Sequence, residues 1–83
     1  MKLRHELIKR LSKKFEPTTV VEMKYRELDL SFKTDDAGHA ILLFIGKRNH
    51  EGVIKGERYA RTLKTNAEGI VIKDHWELKG KAT

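Results

Sequence analysis

The sequence predicts an α+β fold, a single domain over residues 1–83 in which one N-terminal amphipathic helix packs on a four-stranded antiparallel β-meander of order 1-2-3-4, strongly twisted or curved. Three observations predict it. Apolar residues near the N-terminus recur at helical spacing, the apolar period falls to two beyond Pro17, and three turn signals of one chemistry divide the rest of the chain.

The helix comes first. Leu3, Leu7, Ile8, Leu11 and Phe15 form one stripe, while Lys2, Arg4, Lys9, Arg10, Lys13 and Lys14 occupy the remaining arc. Pro17 cannot continue a helix and biases Glu16 towards extended backbone, so the helix is placed at about residues 2–15.

The turn signals are Asp35-Asp36-Ala37-Gly38, Asn49-His50-Glu51-Gly52 and Asn66-Ala67-Glu68-Gly69. In each, an Asp or Asn side chain accepts backbone hydrogen bonds, and a glycine takes the left-handed conformation that closes a tight hairpin. The strands between them run over about 18–34, 39–48, 53–65 and 70–79, with connections too short for parallel crossovers. Within the first, Val21, Met23 and Tyr25 alternate in one phase and Leu28, Leu30 and Phe32 in the other, which calls for a bulge or sharp bend at Arg26-Glu27.

With three-residue loops throughout, Phe32 faces Leu42, Leu30 faces Phe44, Gly46 faces Gly56 and Ala60 faces Trp76. The helix should then cover a face containing Leu28, Leu30, Phe32, Leu42, Phe44, Ile54, Ala60, Ile72, Trp76 and Leu78. Ala40 to Ile45 is apolar on both faces, so Ile41, Leu43 and Ile45 fall on the outer side.

That outer stripe makes a homodimer the expected partnership, with Ile41, Leu43 and Ile45 at its interface. Size points the same way. A chain of 83 residues with 39% apolar composition buries only ~60–65% of its unfolded surface, and a helix of ~20 Å cannot cover strands of ~36 Å.

The net charge of +6 is unevenly placed: residues 1–19 hold six Lys/Arg against two Glu and so carry +4. Such a balance suits nucleic acid or another polyanion, bound weakly and without sequence preference through Lys9, Arg10, Lys13 and Lys14. This is the alternative to the leading expectation, a small soluble, non-enzymatic binding or homodimerisation module.

The chain lacks cysteine, so it has no disulfide framework and no thiolate chemistry, and a cytoplasmic location is expected. The apolar run Ala40 to Ile45 is far short of the ~20 residues that span a bilayer, so no membrane insertion is expected. Histidines at 5, 39, 50 and 75 are dispersed. His5-Glu6-Leu7-Ile8-Lys9 opens like a zinc-protease helix but has Lys where the second ligand must fall. No metal, cofactor or catalytic residue is implied, and there is no nucleophile elbow, phosphate loop or dinucleotide fingerprint.

The most function-like residues are Arg58, Tyr59 and Arg61 facing Asp74 and Trp76 in the last hairpin. In the three-residue-loop register Arg58, Asp74 and Trp76 share the core face, either as an ion pair stacked on the indole or as an aromatic-walled pocket for a small polar ligand. A one-residue shift instead sets Arg61 opposite Asp74, Arg58 opposite Glu77 and Tyr59 opposite Trp76.

Overall fold

In the computed structural model, which describes residues 4–81, the elements run α1 (His5–Leu11), β1 (Val20–Tyr25), β2 (Leu28–Thr34), β3 (Ala40–Arg48), β4 (Ile54–Thr65) and β5 (Val71–Lys81). Each strand pairs antiparallel with its neighbour in sequence, in the order β1-β2-β3-β4-β5. The α+β class and the meander are as expected from the sequence, but the strands number five rather than four.

The extra strand arises where the apolar phase reverses. Instead of bulging, the chain folds back on itself at Arg26-Glu27, with Arg26 in the left-handed region at φ 58°. Val21 then sits opposite Phe32, Met23 opposite Leu30 and Tyr25 opposite Leu28, so the two out-of-phase triplets become cross-strand pairs on one face. The Lys47 ammonium donates to the Glu27 carbonyl, and the Arg26 and Arg10 guanidinium groups lie 5.6 and 5.4 Å from the Tyr25 ring centre.

The three Asx-glycine turns form as their chemistry requires. Asp35 Oδ1 accepts from the Ala37 and His39 amides, Asn49 Oδ1 from Glu51 and Val53, and Asn66 Oδ1 from Glu68 and Ile70. Gly38, Gly52 and Gly69 close them at φ of 87°, 83° and 81°.

Register departs from expectation at β2–β3. Lys33 faces Leu42 but Thr34 faces Ala40, leaving Ile41 as the extra residue of a bulge. Phe32 therefore faces Leu43, and Leu30 faces Ile45. A one-residue slip exchanges the faces of a strand. Leu43 and Ile45, 0% and 4% exposed, lie in the core with Leu7, Leu11, Tyr25, Leu30, Phe32, Ala40 and Tyr59, whereas Leu42 and Phe44 are half-buried on the opposite face. The helix thus covers the face of Leu30, Phe32, Leu43 and Ile45, not that of Leu42 and Phe44. Gly46 does face Gly56, and the backbones are so close there that a Cβ on Gly46 would fall 2.0 Å from the Lys55 carbonyl oxygen.

The helix is about two turns, shorter than the expected 2–15; Lys2 and Leu3 lie outside the described residues. Leu7 and Leu11 anchor it in the core. Ser12 ends it, its hydroxyl donating to the Ile8 carbonyl at 2.8 Å. The chain then turns so that the Phe15 amide donates to the Gly38 carbonyl at 2.9 Å and its ring meets Phe32 edge-on at 4.8 Å.

Candidate functional site

A bulge in β5 sets the geometry of the last hairpin. Thr65 faces Val71 while Lys64 faces Lys73, so Ile72 is the extra residue. Arg61 consequently sits opposite Trp76, and Asp74 opposite Leu63. Neither register expected from the sequence is realised, because the bulge slips β5 by one residue from the three-residue-loop register, away from the shifted alternative.

Arg61 points into the core with its side chain only 4% exposed. Its Nε and Nη2 donate to the two Asp74 carboxylate oxygens, both at 2.7 Å. Nη1 donates to the Ala40 carbonyl at 3.2 Å and the Leu11 carbonyl at 3.4 Å, and the guanidinium lies 5.6 Å from the Trp76 ring centre. One side chain therefore ties β4 to β5, to β3 and to the end of α1. Hydrogen bonds from Arg61 hold the Asp74 carboxyl below the usual carboxylate range, reinforced by the charges of Arg61 and His39 and opposed by burial. The buried Trp76 ring nitrogen has no hydrogen-bond partner among the described residues.

Of the five residues singled out from the sequence, Arg61, Asp74 and Trp76 converge. Tyr59 is buried beside them in the core, its hydroxyl donating to Glu57 Oε1 at 3.3 Å; burial first, and the Glu57 charge second, push that hydroxyl up to about 12. Arg58 is excluded from the cluster. It lies exposed on the opposite face, across from Phe44 and Gly80. Of the two pairings expected for Asp74, with Arg58 or with Arg61, it is Arg61 that meets it, through a register neither expectation contained. All three guanidinium nitrogens of Arg61 donate and both Asp74 oxygens accept from them, so the cluster clamps β4, β5, β3 and the end of α1 together.

A shallow depression of about 270 Å³ on the outer face was not foreseen. Phe44 and Ile54 floor it, and an Arg48–Glu22 pair at 3.4 Å spans its rim. Arg48 is committed twice more, its backbone amide donating to Asp29 Oδ2 at 2.9 Å and Nη1 to the Gly52 carbonyl at 2.7 Å. The Asp29 carboxyl is lowered chiefly by that backbone amide.

Two of the three expected interface residues, Leu43 and Ile45, do not lie on the outer face. Leu43 and Ile45 are buried beneath the helix and Ile41 is half-buried in its bulge, because the β2–β3 slip turned them inward. Exposed apolar residues gather instead on β5 and its turn, where Ile70, Val71, Ile72 and Leu78 stand out. Ile72 and Leu78, assigned to the core from the sequence, are 65% and 41% exposed. Every β5 residue is exposed except the half-buried Trp76.

The basic set is also rearranged. Lys9 and Arg10 occupy the last helical turn, but Lys13 and Lys14 follow the helix and so share no helical face with them. Among the described residues no three His, Asp or Glu side chains group as metal ligands, and no helix is long and apolar enough to cross a membrane. No family model, characterised protein or solved structure matches the chain.

Proposed function

We propose that this chain is a non-enzymatic self-association module whose working surface is the outer part of its last hairpin. The observation that carries this reading is β5: a long strand at the end of the sheet order, exposed along its length, with Val71, Ile72 and Leu78 in water. Exposed apolar strands at a sheet edge are costly to leave bare and are the usual site of strand addition. A binding rather than catalytic role is supported by the commitment of Arg61 and Asp74 to each other and to backbone carbonyls.

Sedimentation over a concentration series tests it. The wild-type chain should be a dimer at ~100 μM, well above a micromolar dissociation constant, and Ile72→Lys should be a folded monomer because that side chain carries no core contact. A wild-type monomer at that concentration refutes the reading.

A second reading, weak polyanion binding, is supported by the exposure of Lys9, Arg10, Lys13 and Lys14 within one short stretch. It requires a mobility shift with generic nucleic acid that falls steeply with salt.

A further inference from the structure

We infer that the second copy docks by antiparallel pairing of β5 with β5, about a two-fold axis through His75. This rests on the self-association proposed above and specifies its geometry.

Among the described residues β5 pairs with β4 alone, so its other side presents a row of free backbone N–H and C=O groups. Between the Ile72 bulge and the irregularity at Arg58/Tyr59 the ladder is regular, running from Lys64 opposite Lys73 to Tyr59 opposite Leu78. This straight segment is the natural template for another strand.

A two-fold interface requires a strand that complements itself. In an antiparallel pair centred on His75, residue 72 meets 78 of the second copy, 73 meets 77, and 74 meets 76, each pairing occurring twice. Ile72, the bulged residue that bounds this segment, thus comes beside Leu78 of the second copy, which covers two of the strand's three exposed apolar residues. Lys73 meets Glu77, an opposite-charge pair. Within its own chain Lys73 faces another cation, Lys64, so Glu77 of the second copy supplies the opposite charge that its β4 neighbour does not.

Neighbouring registers are worse. Centring on Asp74 sets two Asp74 carboxylates against each other, and centring on Trp76 sets Lys73 against Lys79. Charges on an edge strand ordinarily prevent pairing; those of β5 select one alignment instead. The axis runs through the sheet, so both helices lie on the same side and the five strands of each copy join in one sheet.

Two sets of variants test the alignment by sedimentation and by cross-linking. Glu77→Lys places Lys opposite Lys73 twice and should weaken dimerisation by roughly tenfold or more, while adding Lys73→Glu restores opposite charges and should return the affinity to near wild type. The chain has no cysteine, so His75→Cys introduces a lone thiol. Cα separations of ~4.5–5.5 Å across an antiparallel pair fall within disulfide range, and mild oxidation should give an interchain disulfide that Lys55→Cys, on β4, does not. A dimeric wild type in which His75→Cys fails to cross-link, or in which the charge swap does not restore what Glu77→Lys removed, overturns this alignment and leaves self-association standing. A monomeric wild type overturns both.

Discussion

Arg61 and Asp74 meet through two hydrogen bonds of 2.7 Å although they are not opposite one another in the ladder. Trp76 is across from Arg61 and Leu63 across from Asp74. The diagonal lets the guanidinium reach back along β5 to Asp74 while lying beside the Trp76 ring and donating to Ala40 and Leu11. The short helix, which has no side-chain cap at Arg4, is thereby tied to the β4–β5 end of the sheet.

Arg61→Gln should destabilise the fold by about 2–3 kcal/mol, measured by denaturant titration. That is below the ~3–5 kcal/mol for breaking a fully buried pair because the Asp74 side chain is 38% exposed and water screens it. Arg61→Lys should recover only part of the loss, since an ammonium cannot make the bidentate fork.

Stability should fall in acid, and Asp74 should account for part of the fall. Its carboxyl is lowered in the folded chain, first by hydrogen bonds from Arg61. A depressed folded value means the stabilisation is fully present above the unfolded carboxylate value of ~3.9 and is lost as pH drops through the folded value. Asp29 is lowered too, first by the Arg48 amide. For Asp35 burial is the largest influence and raises the value, but the amides of His39, Ala37 and Gly38 and the charge of His39 together outweigh it. Denaturation midpoints at pH 7 and pH 3 should therefore differ less for Asp74→Asn than for wild type; an equal drop in both contradicts this assignment.

Leu43→Ala should cost about 2–5 kcal/mol, as for truncation in a filled core, and Leu42→Ala distinctly less, since Leu42 is half-buried on the other face. The reverse ranking in denaturant midpoints would show that the β2–β3 register is wrong.

Much of the fold was legible because its determinants are local. The Asx-glycine turns carry their own hydrogen-bond chemistry, and they dictated the antiparallel order and the Gly46–Gly56 pairing. The first hairpin was missed because Arg26 takes a left-handed conformation usually left to Gly, Asn or Asp. A signal was nonetheless present: Val21, Met23 and Tyr25 mirror Phe32, Leu30 and Leu28 about Arg26-Glu27. The bulges at Ile41 and Ile72 had no such signal, since a β-branched apolar residue reads as ordinary strand. Each displaced a strand by one residue, which buried Leu43, exposed Ile72 and gave Arg61 the place expected of Arg58. The clamp's members Arg61, Asp74 and Trp76 were thus readable among the candidates, whereas the register that joins them and leaves Arg58 outside was not.

Amide hydrogen exchange along β5 at two protein concentrations tests the self-association most directly. In a monomer, the β5 amides whose N–H groups point away from β4 face water and exchange freely; in the paired dimer they are hydrogen-bonded to the second copy. These amides should become protected as the concentration rises from ~1 to ~100 μM, across a typical micromolar dissociation constant, while those pointing towards β4 change little. Outward-facing β5 amides that exchange equally fast at both concentrations, in a chain otherwise folded, would contradict self-association.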